Sequence, residues 1–330
     1  MPYDALLVVS FGGPEGMDDV IPFLENVLRG RNVPRERMLS VAKHYEMFGG
    51  VSPINQQNRN LIAALQDELE RHGPKLPIYW GNRNWHPLLP YTLRQMSADG
   101  VQQALAFVTS AYSSYSSCRQ YLQNIADAQT AVGAAAPRVE KLRAFYNHPL
   151  FIEANVDHIR SAWTRLGAGV RAQLVFTAHS IPEAMAATSA YAAQLQEAGR
   201  LIANALEVDN WRIVYQSRSG SPSQPWLGPD ILDCLKELRA QGTESAVVAP
   251  IGFVSDHMEI VYDLDFEAQH LAQELGLKMV RAATAGTHPA FVNMIRELIL
   301  ERVDKQAPRF LGTCGPSHDV CPADCCLPAR

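Results

Sequence analysis

Seven short apolar or β-branched runs, at residues 5–10, 78–81, 104–109, 174–178, 212–216, 246–253 and 278–282, punctuate this chain, and the stretches between them mostly repeat their apolar residues at helical spacing. A chain alternating in this way satisfies its backbone by pairing the strands in parallel and covering both sheet faces with the intervening helices. Segments 58–71 and 191–205 carry the helical period. The set divides near residues 141–158 into halves of comparable strand content. Each half opens on a strand that runs into small or polar residues, Ser10-Phe11-Gly12-Gly13-Pro14 in one and His179-Ser180-Ile181-Pro182 in the other. The expectation is an α/β protein of two similar halves, with no residue-level repeat between them.

A nucleotide is the usual occupant of such a fold, but the phosphate loops are missing. Phe-Gly-Gly-Pro-Glu-Gly at residues 11–16 has neither the Gly-x-Gly-x-x-Gly spacing nor a Walker lysine, and Pro14 removes an amide that a phosphate would use. With 330 residues, 47% of them apolar, the chain can bury a large core. Its net charge of −5, spread over mixed acidic and basic residues, disfavours nucleic acid as a partner. No apolar stretch approaches the roughly 18 residues of a membrane span. The opening Met-Pro-Tyr-Asp lacks the charged-then-apolar pattern of an export signal, so a cytoplasmic location without stable membrane insertion is expected.

Chemistry concentrates after the 247–254 run. There Ser-Asp-His-Met-Glu-Ile-Val-Tyr-Asp-Leu-Asp-Phe-Glu sets Glu259, Asp263 and Glu267 four residues apart, on one stripe of a helix. Like charges at that spacing repel, so the stripe is either a solvated face or a seat for a cation. If the preceding run is a buried strand, Glu259 stands at its carboxyl end, where open α/β sheets place ligands. His179 follows Leu-Val-Phe-Thr-Ala and is expected to leave a strand in the same way. With an ordinary pKa near 6.5, it suits proton transfer or metal binding. Arg29 and Arg31 in Leu-Arg-Gly-Arg, a glycine-bearing turn around Ser52, and the hydroxyl-rich stretch around Tyr115 suit an anionic ligand with flat apolar faces. A solvated arginine pair and a serine-rich loop fit those residues equally.

The six cysteines are uneven. Cys118 and Cys234 stand alone, while Cys314, Cys321, Cys325 and Cys326 crowd into the tail. In a cytosolic chain such clustering points to metal or cluster ligation rather than disulfides. The Cys-x₃-Cys-Cys ending does not match a zinc ribbon, and the residues alone leave the metal open.

Taken in order, Phe11-Gly12-Gly13-Pro14, Gly49-Gly50-Val51-Ser52-Pro53, Trp85-His86-Pro87, Thr177-Ala178-His179-Ser180-Ile181-Pro182, Tyr215-Gln216-Ser217-Arg218, Pro225-Trp226-Leu227-Gly228-Pro229-Asp230 and the acidic segment resemble the ferrochelatases over nearly the whole chain. These enzymes insert ferrous iron into a porphyrin in haem biosynthesis. The resemblance, most like that to soluble bacterial coproporphyrin III members, implies two Rossmann-like lobes at residues 1–150 and 151–305 facing a common cleft. A cysteine-rich tail at 306–330 would pack back on them. It implies that His179 and Glu259 flank the porphyrin centre as catalytic and metal-handling groups, with Asp263 and Glu267 as outer metal carboxylates. Phe11, Arg29, Arg31, Ser52 and Tyr115 fall on porphyrin-contacting positions. In some bacterial relatives a tyrosine at the place of Phe11 ligates the product iron, which phenylalanine cannot do.

The resemblance also suggests a [2Fe–2S] cluster, held by Cys118 and by three of Cys314, Cys321, Cys325 and Cys326, with one of the vicinal pair left out. Cys234 reads as a buried apolar residue. In this reading Fe²⁺ and a porphyrin are the substrates, coproporphyrin III being favoured over protoporphyrin IX. Other haem-pathway enzymes are conceivable partners, and the chain would act as a monomer or homodimer. A cobalt or nickel chelatase, or a non-enzymatic haem or iron carrier, is the alternative.

Overall fold

A computed structural model describes residues 2–30, 33–167, 169–219 and 223–328. Two four-stranded sheets organise them, and every pairing within each sheet is parallel. The first contains β1 (Ala5–Ser10), β2 (Ile78–Asn82), β3 (Gln103–Val108) and β4 (Arg138–Lys141), in the order β2-β1-β3-β4. The second contains β5 (Gln173–His179), β6 (Trp211–Gln216), β7 (Ser245–Ala249) and β8 (Lys278–Arg281), in the order β6-β5-β7-β8. The two orders are the same, as the matched halves of the sequence suggest. In each sheet the first strand lies centrally, and both β1 and β5 are apolar and buried on both faces up to their last residues.

Two strands differ from the sequence expectation for physical reasons. The edge strand β4 reads Arg-Val-Glu-Lys, a charged composition that guards a sheet edge and hides its strand character. The run at 246–253 stops pairing at Ala249, because Pro250 has no amide for the ladder. Residues 250–257 are therefore a loop, and Glu259 stands well beyond the strand end instead of on it.

That loop is pressed against the end of β5. The Gly252 amide donates to the Thr177 carbonyl at 3.0 Å. A Cβ built on Gly252 would stand 2.5 Å from the Ala178 Cβ, so only glycine fits without displacing one of the two segments.

The halves share one core. An apolar cluster runs from Leu6 and Val8 in the first sheet to Leu174 and Phe176 in the second. At its centre Phe107 of β3 stacks on Phe145 at 5.4 Å, and Phe145 meets Phe151 at 5.5 Å and Phe291 at 5.9 Å. The last two belong to the helices Pro149–Leu166 and Pro289–Val303, which pack on each other, and the second of them also packs on the Ile54–His72 helix of the first half. Arg143 and Glu301 form a bidentate pair at 2.7 and 2.8 Å beside this junction, with their side chains only 1% and 6% exposed.

From residue 306 to 328 the chain has no helix or strand and is held by side chains of both halves. Asn147 donates to the carbonyls of Leu311 and Gly315, Arg119 donates to those of Ala323 and Cys325, and Thr188 donates to that of Leu327. Among the described residues, no helix is long and apolar enough to cross a membrane.

Candidate active site and thiol cavity

His179 is the last residue of β5, in register with Gln216 of β6. The Ser180 amide donates to the Gln216 carbonyl at 2.8 Å, and the Tyr191 hydroxyl donates to the His179 carbonyl at 2.9 Å, so the backbone here is held from two sides. The ring Nδ1 lies 2.5 Å from the Ser180 carbonyl oxygen, which accepts only if Nδ1 carries the proton. Nε2 is thereby turned to the opposite side, 3.5 Å from the Glu259 carboxylate.

Glu259 is delivered by the 250–257 loop. Its anchors are the Tyr112 hydroxyl on the Ile251 carbonyl at 3.0 Å and the Asp256 amide on the Gln57 side chain at 2.7 Å. His257 then caps the next helix, its Nδ1 accepting from the Glu259 amide at 3.1 Å. This helix is not regular: a short α-helical turn, Met258–Ile260, passes into a π-helical segment, Val261–Ala268. Closing i→i+5 instead of i→i+4 widens the turn, a geometry that is uncommon and concentrates at functional sites. Of the three carboxylates, Glu259 thus lies on the α-helical turn and Asp263 and Glu267 on the π-helical segment, instead of all three on one regular α-helix.

Asp263, one turn on, accepts a short hydrogen bond from the Ser217 hydroxyl and a longer one, at 3.4 Å, from Gln216 Nε2. Gln216 also donates to the Glu259 carbonyl at 3.1 Å, which ties the π-helix to the end of β6. Ser217 holds a left-handed backbone conformation, φ 61°, rare for a non-glycine residue. Glu267 lies beyond, next to the Tyr262 hydroxyl.

The charges are unequally held. Burial lowers the His179 pKa, but the Glu259 carboxylate, the Ser180 carbonyl and Asp263 outweigh it and raise it to about 9. Glu259 is pushed up by burial and pulled further down by His179 and His257, to about 2. At neutral pH the pair is therefore imidazolium and carboxylate. Their side chains remain 32% and 46% exposed, so a ligand can reach both, and water weakens their attraction. Asp263 is raised to about 7, first by burial and then by the charges of Glu259 and Glu267, against the help of Ser217. Burial raises Glu267 as well. An acidic row with one low and two raised members is short of positive charge, a condition that a cation relieves.

Aromatic side chains border this row from the first half. Phe11 meets Phe23 edge-on at 6.2 Å, Phe23 meets Tyr45 and Trp85, and Met258 packs into the same cluster. Phe23 lies on α1 (Met17–Leu28) and Tyr45 on α2 (Arg35–Glu46). His44 of α2 stacks flat on Tyr262 at 3.7 Å, and Phe48 meets Phe266 edge-on. Arg29 caps the carboxyl end of α1 and is exposed, its guanidinium on the Asn26 side chain. Ser52 is buried beneath the 11–14 loop, its amide on the Pro14 carbonyl, and Tyr115 is half-buried with its hydroxyl on Gln123. Arg31 lies outside the described residues.

The thiols form a second centre. Cys118, on the π-helical turn Tyr115–Arg119, lines a cavity of about 270 Å³ together with Cys321, Cys325 and Cys326. The interaction with the Cys321 thiol, and after it the Lys141 ammonium, outweighs burial and lowers Cys118 to about 6. A thiolate readied beside three further thiols is the donor set that a thiophilic metal or an iron–sulfur cluster requires. Cys314 is not among the lining residues. It is exposed, beside Arg200 and Tyr146, because Asn147 pins the Leu311 and Gly315 carbonyls over a different part of the surface. Cys234 is buried in the Ile231–Ala240 helix, packed among Ile231, Leu235 and Leu238.

A family model described as ferrochelatase matches residues 3–303. The chain belongs to the ferrochelatase family. It is 59% identical to a protein named ferrochelatase from Rhodopirellula baltica, over 99% of this chain and 94% of the relative. It is 52% identical to one named coproporphyrin III ferrochelatase from Streptomyces coelicolor, over all of this chain and 94% of the relative. Among solved structures, the chelatase SirB from Bacillus subtilis with Fe³⁺ superimposes with a TM-score of 0.56 at 12% identity, covering 92% of this chain and 98% of that one. That likeness speaks for the α/β chelatase fold alone. As a ferrochelatase, the chain inserts ferrous iron into a porphyrin in haem biosynthesis.

Five residues beside the acidic row were not singled out from the sequence as site residues. Gln216 and Ser217 lie inside the Tyr-Gln-Ser-Arg run and His257 inside Ser-Asp-His-Met-Glu, so ferrochelatase motifs already enclosed them. Tyr262 likewise lies inside the acidic segment, whereas His44 carried no such signal, because its stack on Tyr262 joins two elements far apart in the chain.

Proposed function

We propose that the cleft takes coproporphyrin III, and that His179 and Glu259 are the groups that exchange its pyrrole protons for Fe²⁺. The observation that carries this reading is the pair itself, an imidazole Nε2 3.5 Å from a carboxylate that heads an acidic row. Insertion replaces two N–H protons by one divalent ion, so the site must both receive protons and release a metal. While Glu259 is ionised and holds no metal, His179 keeps a proton and is no base. An Fe²⁺ ion arriving at Glu259 cancels the charge that keeps His179 protonated, so the imidazolium releases its Nε2 proton to water and the neutral ring can accept a pyrrole proton at Nε2. Iron delivery and base activation are thereby linked. The second proton leaves through Glu259 once the metal has moved into the ring. Asp263 and Glu267 are the outer carboxylates of the delivery path, suited to a hydrated ferrous ion because oxygen ligands hold it less tightly than thiolates.

The porphyrin lies against the aromatic side, with Phe11 on one face, and Arg29, Ser52 and Tyr115 toward its rim. Phenylalanine at position 11 provides a flat contact without an iron ligand. Binding energy from the propionates is available to offset bending of the ring, which turns the nitrogen lone pairs toward the metal. The lobes of this reading divide at 150/151, with the tail starting at 306. The names of relatives about half identical to this chain support coproporphyrin III, whose four carboxylates repay guanidinium groups at the rim better than the two of protoporphyrin IX. Anaerobic insertion assays with the two porphyrins side by side test the choice. Coproporphyrin III should give a kcat/KM higher by on the order of tenfold, equivalent to about 1.4 kcal/mol. Equal values, or a preference for protoporphyrin IX, would overturn it.

The thiol cavity is read as the seat of a resident [2Fe–2S] cluster, with Cys118 from the first half and the remaining ligands from the tail. Bound there, it supplies iron held by thiolates that can take up one electron, and no step of metal insertion runs through it. Thiols grouped in this way persist reduced in the cytoplasm, the compartment this reading assigns to the reaction.

A further inference from the structure

The cavity brings together one more donor than a cluster or a tetrahedral metal needs. His318 of the tail is not a lining residue but stands beside one, its Nε2 3.6 Å from Cys325 Sγ. The donor atoms of His318, Cys321 and Cys325 all lie within 4.8 Å of one another. Two ligands on one tetrahedral iron or zinc with bonds of about 2.0–2.3 Å stand roughly 3.3–3.8 Å apart, so His318 and Cys325 are spaced as two ligands of one metal, with Cys321 near enough to serve the same zinc or the second iron of a cluster.

Cys326 is placed differently. It follows Cys325 directly, its backbone is in the left-handed region at φ 52°, and only 3% of it is exposed. Its sulfur lies 3.5 Å from that of Cys325. That separation would itself suit two ligands of one ion, so what sets Cys326 apart is its buried thiol on a left-handed backbone, a strained conformation that ligation would have to hold in place. His318 is exposed, three residues before Cys321, with no comparable restraint.

We propose that His318 is a metal ligand of the tail site, which is a one-histidine, three-cysteine set of Cys118, Cys321, Cys325 and His318, with Cys326 a buried thiol beside it. The assignment rests on the reading of this cavity as an iron–sulfur site, and it names the ligands of that site. A histidine in place of one thiolate removes a negative charge from the cluster and raises its reduction potential relative to an all-cysteine site.

Full-length protein purified anaerobically, assayed for iron, labile sulfide and zinc, and studied by pulsed electron paramagnetic resonance after dithionite reduction, tests this. The expected result is a cluster with nitrogen coupled directly to iron. That coupling should vanish in His318→Ala and His318→Cys, and the cysteine variant should keep its cluster at a lower potential. Cys326→Ser should retain full iron and sulfide, whereas Cys325→Ser should lose most of both. A cluster without nitrogen coupling, or one lost from Cys326→Ser as fully as from Cys325→Ser, would overturn the histidine assignment while leaving the cluster intact. If the protein holds zinc instead, and His318→Ala loses it, the ligand assignment stands and the cluster reading falls. Zinc that is retained without His318, or an absence of both metals, defeats the assignment.

Discussion

Gly252 and Ala178 approach so closely that a methyl group on the glycine would stand 2.5 Å from the alanine methyl. This contact bears on the distance between the two halves of the proton-exchanging pair, because Ala178 precedes His179 on β5 and Gly252 lies in the 250–257 loop that leads to Glu259. Gly252→Ala must displace one segment, and overpacking of this kind costs about 1–3 kcal/mol. The expected outcome is a lower urea midpoint and a kcat reduced by roughly tenfold or more, since misplacing catalytic groups by about an ångström is costly. Gly252→Ala with unchanged kcat would show that the pair tolerates the shift and that the contact serves packing alone.

His179→Ala removes the group assigned to accept the pyrrole proton. A positioned general base contributes about 10²- to 10⁴-fold, so turnover should fall within that range. Porphyrin affinity, followed by fluorescence quenching, should change little, because Nε2 faces Glu259 rather than the aromatic wall. Near-normal insertion by this variant would remove His179 from the mechanism.

The Asp263 carboxyl gives a pH dependence of definite sign. Its pKa is raised by burial and neighbouring carboxylates to about 7, against an unfolded value near 3.9. Between these values the folded protein holds a proton that the unfolded chain has lost, so stability is fully present below about pH 4 and declines as pH rises through 7. Asp263→Asn should therefore melt higher than the parent protein at pH 8, and the difference should shrink toward pH 4. In function the same group is a usable carboxylate only above about 7, so the apparent KM for Fe²⁺ should rise as pH falls through that value. Ser217→Gly, which keeps the left-handed backbone but removes the donated hydroxyl, should move this inflection to higher pH. An inflection that stays in place in both Ser217→Gly and Asp263→Asn would assign it to another group.

Much of this arrangement was legible in the sequence because it follows from local pattern. The buried parallel strands announced themselves as apolar runs, and His179 could be placed at a strand end because an unbroken apolar run precedes it. The edge strand Arg138–Lys141 was not legible, since its charges serve the sheet edge and not the core. Nor was the π-helix: the pattern of Val261–Ala268 fits a regular helix, and the widened turn arises from what the segment packs against, Met258 in the aromatic cluster and Asp263 on Ser217. The thiols show the same limit. Clustering in sequence made Cys314 as good a ligand as Cys321, and only the anchoring of the tail by Asn147 separates them.

Arg119 provides a test of how the tail is held. Its guanidinium donates to the carbonyls of Ala323 and Cys325, both at 2.7 Å, immediately after Cys118 in the chain. Hydrogen bonds from a charged donor contribute about 1.5–3 kcal/mol each when desolvated and less at a partly exposed site such as this one. Arg119→Ala should release the 321–328 segment without unfolding the sheets, because no β-strand depends on it. Limited proteolysis should then cleave the tail several-fold faster, at an unchanged overall melting temperature. If the tail of Arg119→Ala resists protease as the parent does, the segment is held chiefly by its thiol contacts, and double substitution with Cys321→Ser should be needed to free it.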